Sequence, residues 1–283
     1  MSRPPTQDQA ALDLQSRYDR IAAGYARWWA PVLRPTAVQV LDLVEPQIAA
    51  GATRILDVGT GTGSLPVAAL RRWPSATVSA IDGSSEMVEA ARIEVADALG
   101  PAAASRFEPE TAFADELPFD DETFDVAISS FVFQLVPSRA RAFREVNRVL
   151  RRGGRLAFVT WLQSSRGFAP DAAFDAALED IGEEVRQPDY RSGDIASSRA
   201  AATGLRRAGF REVWTEGREL TYTFNVESYA GFMEEFDEED LVESFPSARR
   251  EEFGRRFRER LRRIDPAEFV LRLPVVFATG VTR

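Results

Sequence analysis

Residues 55–63 read ILDVGTGTG, a short apolar run that passes directly into a loop with glycine at every second position. The apolar run predicts a buried β-strand, and the apolar spacing of residues 64–72 predicts a helix after the loop. Glycine allows a tight turn and a close approach of a ligand, and the amino end of a helix attracts polar or anionic groups. The order of strand, glycine loop and helix therefore predicts a ligand site at the carboxyl end of the first strand of an α/β fold.

The spacing of glycines 59, 61 and 63 distinguishes two kinds of ligand loop. The dinucleotide fingerprint G-x-G-x-x-G needs a small residue such as Gly or Ala at position 64, where Ser64 stands. Asp57 precedes the loop, and Asp82 ends the next predicted strand, where a carboxylate can accept both hydroxyls of a ribose. We prefer a ligand loop to a purely structural turn because the three glycines occur in register with these two acids.

Strands alternate with helices around this loop. The predicted strands are 54–58, 76–81, 106–112, 124–131 and 155–161, and the predicted helices are 9–30, 36–48, 64–72, 84–99 and 138–150. This alternation predicts a parallel sheet with helices on both faces. After residue 161 the pattern changes to helices at 171–180, 195–208 and 227–264 and strands at 210–216 and 269–279. We interpret this half as helical additions to the same domain.

The composition excludes several kinds of chemistry. All 35 cationic side chains are arginine, and the chain contains no Cys and no His. Disulfides, thiolate nucleophiles, Cys/His zinc sites, Ser-His-Asp triads and Schiff-base lysines are therefore excluded. Proton transfer by a side chain would have to use a carboxylate, a tyrosine or a hydroxyl group.

The charge pattern predicts no nucleic-acid, membrane or metal partner. The net charge of −9 argues against a nucleic-acid-coating surface. No apolar run approaches the roughly 20 residues of a membrane helix, and residues 1–14 lack a signal-peptide pattern, so a cytoplasmic protein is expected. The acidic run EEFDEED (234–240) is typical of a solvated face, and residues 249–263 of an amphipathic helix with interleaved acids.

Four features resemble a known family, the class I S-adenosylmethionine-dependent methyltransferases, and within it the branch of ubiquinone and menaquinone biosynthesis methyltransferases. They are ILDVGTGTG (55–63), Asp82, FADELPFDDETFDVAISSF (113–131) and FREVNRVLRRGGRLAFVTW (143–161). The resemblance is specific over residues 51–162 and elsewhere rests on the order of the elements.

The resemblance implies an α/β fold with a Rossmann-like, mostly parallel seven-stranded sheet in the order 3-2-1-4-5-7-6 and helices on both faces. The seventh strand, at 269–279, is expected to be antiparallel. The implied organisation is an N-terminal helical lid (1–50), a core that binds S-adenosylmethionine (51–162), and a remainder of the same domain with helical insertions that cap the substrate (163–283).

The resemblance also implies a set of cofactor-binding residues. The family pattern assigns Asp115 to the adenine amino group with the Glu116 backbone beside it, and Asp82 to the ribose. Asp57 and the loop backbone face the amino acid head group, and the end of the fourth strand borders the methionine portion. The expected set is Tyr18, Tyr25, Asp57, Gly59, Thr60, Gly61, Gly63, Asp82, Gly83, Met87, Asp115, Glu116, Leu117, Ser130, Phe131 and Gln134.

Some of these positions keep two interpretations. Leu117 packs either near the adenine or into the core, and Gln134 stands where many relatives carry a histidine, whose role does not transfer to it. Tyr18 and Tyr25 lie on the N-terminal helix, which in relatives folds over the cofactor. They either place an aromatic face near the sulfonium or form the core face of the helix.

An acceptor pocket is expected between the carboxyl ends of the strands and the segments 163–192 and 220–264. The expected substrate-binding residues are Trp28, Trp161, Tyr222, Phe224, Tyr229 and Phe232. The alternative is that these aromatic residues simply pack against the sheet.

The resemblance implies methyl transfer from S-adenosylmethionine to oxygen or carbon of a small, apolar or aromatic acceptor, by a monomer or homodimer. Two other functions compete with this one. A non-catalytic protein on the same fold could bind S-adenosylmethionine without turnover, and a nicotinamide-dependent oxidoreductase would need G-x-G-x-x-G and a His or Lys acid–base, both of which the chain lacks.

Overall fold

The structure is a computed structural model that describes residues 7–164, 167–183 and 194–283. Residues 1–6 of the expected lid, and residues 165–166 and 184–192 of the expected acceptor wall, lie outside this range. The strands are β1 (Arg54–Val58), β2 (Thr77–Asp82), β3 (Phe107–Thr111), β4 (Phe124–Ser130), β5 (Leu150–Trp161), β6 (Arg211–Thr223) and β7 (Val270–Val281).

These strands form one seven-stranded sheet in the order β3-β2-β1-β4-β5-β7-β6. The pairs among β1 to β5 are parallel, whereas β7 runs antiparallel to both β5 and β6. The expected order and the antiparallel seventh strand are therefore confirmed. The strand order reverses between β1 and β4, which is where ligands bind in open α/β sheets.

Helices surround the sheet. The described α-helices are α1 (Gln7–Gly24), α2 (Ala30–Ala37), α3 (Glu45–Ala49), α4 (Ser64–Arg72), α5 (Ser85–Leu99), α6 (Pro101–Ala104), α7 (Arg139–Val149), α8 (Ala169–Asp180), α9 (Ser198–Arg207), α10 (Val226–Phe232), α11 (Glu239–Ser244) and α12 (Ser247–Leu261). Two π-helical turns (Tyr25–Trp29 and Met233–Asp237) and two 3₁₀ turns (Val38–Leu43 and Pro266–Phe269) connect some of them. Within the described ranges, no helix has the length and apolar character needed to cross a membrane.

The sheet is covered on both faces because its strands are apolar on both sides. Ile55 and Leu56 are neighbours on β1 and both are fully buried, yet they belong to two different apolar clusters. The Ile55 cluster includes residues of α4, α5 and α12, and the Leu56 cluster includes residues of α7 and α9. Since successive side chains of a strand point to opposite faces, each cluster fills one face of the sheet.

The N-terminal helices depart from the predicted pattern. Pro31 was expected to end a helix over 9–30, but α1 passes through a π-helical turn into α2. The Ala30 N–H donates to the Tyr25 carbonyl, five residues earlier. Pro31 then lies in the first turn of α2, where its missing N–H costs no hydrogen bond. The predicted helix over 36–48 is also wrong in part, because Val38–Leu43 is a 3₁₀ turn.

The two long strands β5 and β6 exceed their predicted lengths. β6 was expected to end at residue 216 but continues to Thr223, since it pairs with β7 as far as Val270. Pro274 was expected at a bulge or an edge. Within β7, the register with β5 ends at Val275, so Pro274 lies one residue beyond it, opposite Glu219 of β6. Its carbonyl still accepts a hydrogen bond from the Leu162 N–H at 3.0 Å, so the proline loses only the donor that it lacks.

Candidate functional site

A cavity of about 790 Å³, here called the first cavity, opens at the carboxyl ends of β1, β2 and β4. Ten of the expected cofactor-binding residues line it, namely Tyr18, Tyr25, Gly59, Gly61, Asp82, Gly83, Met87, Asp115, Ser130 and Phe131. The lining also includes residues that the sequence analysis did not name, among them Leu14, Gln15, Phe113, Val132, Leu135, Val136 and Pro137.

Asp82, at the end of β2, is held in a fixed orientation by the backbone. Its Oδ2 accepts a hydrogen bond from the Gly61 N–H at 2.8 Å, and its Oδ1 accepts one from the Ser84 N–H at 3.0 Å. Burial raises the pKa of this carboxyl group, while these hydrogen bonds oppose the rise. Carboxylate oxygens have further lone pairs, so Asp82 can also accept hydrogen bonds from a ligand in the cavity.

The three loop glycines serve different purposes. A Cβ atom on Gly59 would lie 2.2 Å from Val132 Cγ2, and one on Gly63 would lie 3.1 Å from Ala91 Cα. At these two positions the protein's own packing therefore leaves no room for a side chain. At Gly61, with φ of +52°, the nearest atom to such a Cβ would be Tyr25 Cε1 at 3.9 Å, so that side of the loop is open towards the cavity.

Asp57 lies beneath the loop without lining the cavity. It is fully buried, and its carboxylate oxygens find no hydrogen-bond partner among the described residues. Burial raises its pKa from 3.8 to about 7; the neighbouring Thr60 hydroxyl opposes this rise, and the charge of Asp82 adds to it. Thr60 is likewise buried, and its N–H donates to the Ile81 carbonyl at 2.9 Å.

Helix α1 supplies one wall of the first cavity. The Tyr18 and Tyr25 ring centroids are 6.2 Å apart, edge to face, and burial raises the pKa of Tyr25. Leu14 lies four residues before Tyr18, a helical spacing that could have revealed it. The Ser84 hydroxyl donates to Asp19 Oδ1 of α1 at 2.6 Å and accepts from the Met87 N–H, so α1 is attached to the amino end of α5.

The turn after β3 forms the opposite wall. Phe113 follows this strand closely, and its ring is 38% exposed beside Gly83. Its position just after the carboxyl end of a parallel strand was the sequence signal for it. Glu116 and Leu117 lie away from the cavity. Glu116 pairs with Arg141 at 3.4 Å, and Leu117 is buried in the apolar cluster that also contains Leu56.

Gln134 supports the end of β4 from behind. Its Nε2 donates to the Phe131 carbonyl at 2.6 Å, and its Oε1 accepts from the Thr160 hydroxyl. Phe131 has φ of +57°, a conformation that is costly for a residue with a side chain. Gln134 is thus engaged within the protein, and the Phe131 ring is the part of this group that lines the cavity.

A second cavity, of about 800 Å³, lies beyond the Phe131 ring. The ring centroids of Phe131 and Trp161 are 4.3 Å apart, with Phe131 lining the first cavity and Trp161 the second. Four of the expected acceptor-binding residues line the second cavity: Trp161, Phe224, Tyr229 and Phe232. They also belong to the buried apolar core, so both interpretations of these aromatic residues apply.

Trp28 and Tyr222 do not line the second cavity. The Trp28 Nε1 donates to Glu235 at 3.1 Å, and its ring lies against Gly231 of α10. Trp29 takes the expected place instead, with its ring 5.3 Å from that of Phe232. Tyr222 instead packs edge to face against Phe224, and their ring centroids are 4.7 Å apart.

Two glutamates of the acidic run 234–240 form ion pairs with arginines. Glu234 pairs with Arg258 at 2.6 Å, and Glu235 pairs with Arg27 at 2.7 Å. The described residues contain no group of three acids that could hold a metal ion.

Comparison with known proteins agrees with this geometry. A family model described as a methyltransferase domain matches residues 56–158. A malonyl-[acyl-carrier protein] O-methyltransferase of Geobacter sulfurreducens is 32% identical over 205 residues, which cover 71% of this chain and 70% of that protein. A ubiquinone/menaquinone biosynthesis C-methyltransferase of Geobacter sp. is 37% identical over 110 residues, covering 38% of this chain and 46% of that protein. The chain spans about half the length of several curated relatives that it matches.

The fold has counterparts among solved structures. A phosphoethanolamine N-methyltransferase 2 of Haemonchus contortus, in complex with phosphomonomethylethanolamine and S-adenosylhomocysteine, superimposes with a TM-score of 0.54. It is 16% identical, and the match covers 100% of this chain and 61% of that one. With the glycine loop at the switch point and the long match to the O-methyltransferase, the chain belongs to the S-adenosylmethionine-dependent methyltransferases.

Proposed function

We propose that this protein transfers a methyl group from S-adenosylmethionine to an oxygen or carbon atom of a small acceptor with an apolar or aromatic body. The observation that carries this proposal is the first cavity, where the glycine loop, Asp82, Tyr18 of α1 and Tyr25 of the following turn meet at the switch point of the sheet. The names of the two relatives, an O-methyltransferase and a C-methyltransferase, support the choice of atom.

The residues of the first cavity fit this cofactor. Asp82 would hold the ribose hydroxyls, because its carboxylate is already oriented by two backbone N–H groups. The open side of Gly61 would admit the amino acid head group, and the buried carboxylate of Asp57 would balance its positive charge. Asp115 lines the wall where the adenine amino group is expected. When bound, S-adenosylmethionine supplies an electrophilic methyl group.

The contribution of the chain to the reaction is mainly positioning. The N-terminal segment 1–50 would act as a lid, since α1 and the π-helical turn after it place Tyr18 and Tyr25 beside the cavity, and α1 is attached to α5 through Asp19. The segment 163–283 would cap the acceptor in the second cavity, next to the Phe131–Trp161 pair. Fixing two reactants in this way can supply about 7–11 kcal/mol of the barrier, so no covalent enzyme intermediate is needed.

We also propose that this protein is cytoplasmic and acts as a monomer or homodimer. Its ligands would be small molecules rather than nucleic acid or membrane, in keeping with the net charge of −9.

Calorimetry and turnover together test the proposal. We expect S-adenosylmethionine and S-adenosylhomocysteine to bind and NADH not to bind; the reverse result would favour a nicotinamide-dependent oxidoreductase. A panel of quinol, phenolic and other natural-product acceptors is then screened for release of S-adenosylhomocysteine. Tight cofactor binding with no release across the whole panel would favour the non-catalytic alternative.

A further inference from the structure

The segment 131–137, which follows β4, forms one wall of the first cavity. Most of its residues line that cavity, namely Phe131, Val132, Leu135, Val136 and Pro137. Phe133 instead belongs to the apolar cluster that contains Leu56. Gln134 also lies behind the wall, and as a buried polar side chain it needs hydrogen-bond partners within the protein.

The Gln134 amide links the two strand ends that carry the rings between the cavities. Its Nε2 donates to the Phe131 carbonyl at 2.6 Å, and its Oε1 accepts from the Thr160 hydroxyl. Because a carbonyl oxygen can only accept, the amide nitrogen is the atom that faces Phe131. Thr160 is fully buried in β5 and directly precedes Trp161. One side chain therefore bonds both to Phe131 and to the neighbour of Trp161, whose rings are 4.3 Å apart.

The backbone of Phe131 needs such support. Its N–H donates to the Val159 carbonyl at 2.8 Å, as in a continuing strand, but its φ of +57° turns the chain away. Val132 then packs onto the glycine loop, where a Cβ on Gly59 would lie 2.2 Å from its Cγ2. A left-handed conformation is costly for a residue with a Cβ atom, and such conformations persist at functional sites where the surrounding structure holds them. The hydrogen bond from Gln134 to the Phe131 carbonyl offsets this cost.

We propose that Gln134 is a positioning residue for the cofactor: it holds Phe131 in the left-handed conformation, so that the Phe131 ring closes the first cavity towards Trp161 and contacts the bound cofactor. This inference rests on the proposed function and adds a residue that acts on the cofactor only through Phe131. Without the Gln134 amide, the Phe131 backbone relaxes towards an ordinary conformation and its ring leaves the wall of the cavity.

The affinity for S-adenosylhomocysteine, measured by calorimetry, tests this inference without an acceptor. Gln134→Met removes both hydrogen bonds with little change in volume, and Phe131→Ala removes the ring. We expect each variant to bind S-adenosylhomocysteine about tenfold more weakly than the wild type. The double variant should bind no more weakly than Phe131→Ala alone, because Gln134 then has no ring to position. A double variant that loses about a hundredfold would overturn the inference, since independent effects multiply.

Gln39→Met provides the matched control. Gln39 lines neither of the two cavities, yet both ends of its amide are also bonded. Its Nε2 donates to the Pro35 carbonyl at 3.0 Å, and its Oε1 accepts from Arg218 at 3.1 Å. This variant should be less stable in urea but should keep the wild-type affinity for S-adenosylhomocysteine. An equal loss of affinity in Gln39→Met and Gln134→Met would overturn the inference, because a general loss of stability would then explain both.

A second pair of variants keeps the test decisive if Gln134→Met does not fold. Thr160→Val removes only the hydroxyl that orients the Gln134 amide and should weaken S-adenosylhomocysteine binding by about twofold to fivefold. Thr279→Val makes the same change at a buried threonine of the neighbouring strand β7, whose hydroxyl donates to the Leu156 carbonyl at 2.8 Å. It should leave the affinity unchanged. Wild-type affinity in Thr160→Val would overturn the inference.

Failure of the inference can be distinguished from failure of the proposed function. If the wild type binds neither S-adenosylmethionine nor S-adenosylhomocysteine, the proposed function is wrong. If the wild type binds both and Gln134→Met binds S-adenosylhomocysteine equally well, only the role of Gln134 is wrong.

Discussion

Replacing Asp57 with asparagine should remove a pH dependence from the stability of the folded protein. Asp57 is 0% exposed, and neither carboxylate oxygen has a hydrogen-bond partner among the described residues. Burial, opposed by the neighbouring Thr60 hydroxyl and assisted by the charge of Asp82, raises its pKa from 3.8 to about 7. Asparagine has a similar shape but no proton to lose in this range.

The sign of the effect follows from proton uptake on folding. Between pH 3.8 and about 7, the folded protein keeps a proton on Asp57 that the unfolded chain has released. The free energy of unfolding therefore falls as the pH rises through this range. Above pH 7 the free energy of unfolding is lowered by the whole of this pKa difference, from 3.8 to about 7. At about 1.36 kcal/mol for each pKa unit, the loss is about 4 kcal/mol.

Urea unfolding of the wild type and the Asp57→Asn variant at several pH values measures this effect. From pH 5 to pH 8, we expect the stability of the variant relative to the wild type to rise by about 2–3 kcal/mol. Asp120→Asn changes an exposed carboxylate and should show a constant difference over the same range. A constant difference for Asp57→Asn as well would refute the reasoning, since Asp57 would then be ionised throughout.

The pH dependence of ligand binding provides an independent measurement of the protonation of Asp57. A cationic ligand in the first cavity favours the ionised form of Asp57, so binding should release a proton near pH 7. The affinity of the wild type for S-adenosylmethionine should rise between pH 6 and pH 8, and that of Asp57→Asn should be weaker and less dependent on pH.

Other substitutions separate the roles of residues at the two cavities. Asp82→Ala should weaken S-adenosylmethionine binding by about 1.5–3 kcal/mol in calorimetry, and an unchanged affinity would remove Asp82 from the ribose site. Gly61→Ala places a methyl group on the open side of the loop and should weaken binding by about tenfold or more. Its control, Gly153→Ala, has φ of +75° and no neighbour within 4 Å, and should cost only about 1–2 kcal/mol of stability without affecting binding. Phe224→Leu should raise the acceptor KM several-fold at unchanged cofactor affinity, whereas Phe253→Leu, a core change away from both cavities, should lower the stability alone. Equal KM values in these two variants would place Phe224 outside the acceptor site.

Much of the core fold could be predicted because its signals are local. β1 and α4 occupy their predicted residues, and Asp82 lies at the end of β2 as expected. Strand alternation, helical spacing and the backbone angles of glycine depend on residues that are close in sequence. Parallel strands also bring their carboxyl ends to one edge, so residues 59, 82 and 130 meet in one cavity although they are far apart in the chain.

The ends of elements were predicted less well, because they depend on distant partners. β6 extends to Thr223 because β7 continues alongside it, a contact between residues about 50 positions apart. The helix expected to end before Pro31 continues because a π-helical turn shifts its hydrogen bonds by one residue.

The sequence by itself therefore determined the α/β class, the glycine loop and the acids at the carboxyl ends of β1 and β2, Asp57 and Asp82. It did not determine which side chains face a cavity. Trp28 and Trp29 are adjacent on one helical turn, and only packing against α10 directs Trp29 rather than Trp28 into the second cavity. Tertiary packing also decides that Gln134 accepts a hydrogen bond from the Thr160 hydroxyl and that Leu117 lies in the apolar core rather than in the cavity. The rotation of a helix and the direction of a loop side chain depend on the residues packed against them, and those residues come from distant parts of the chain.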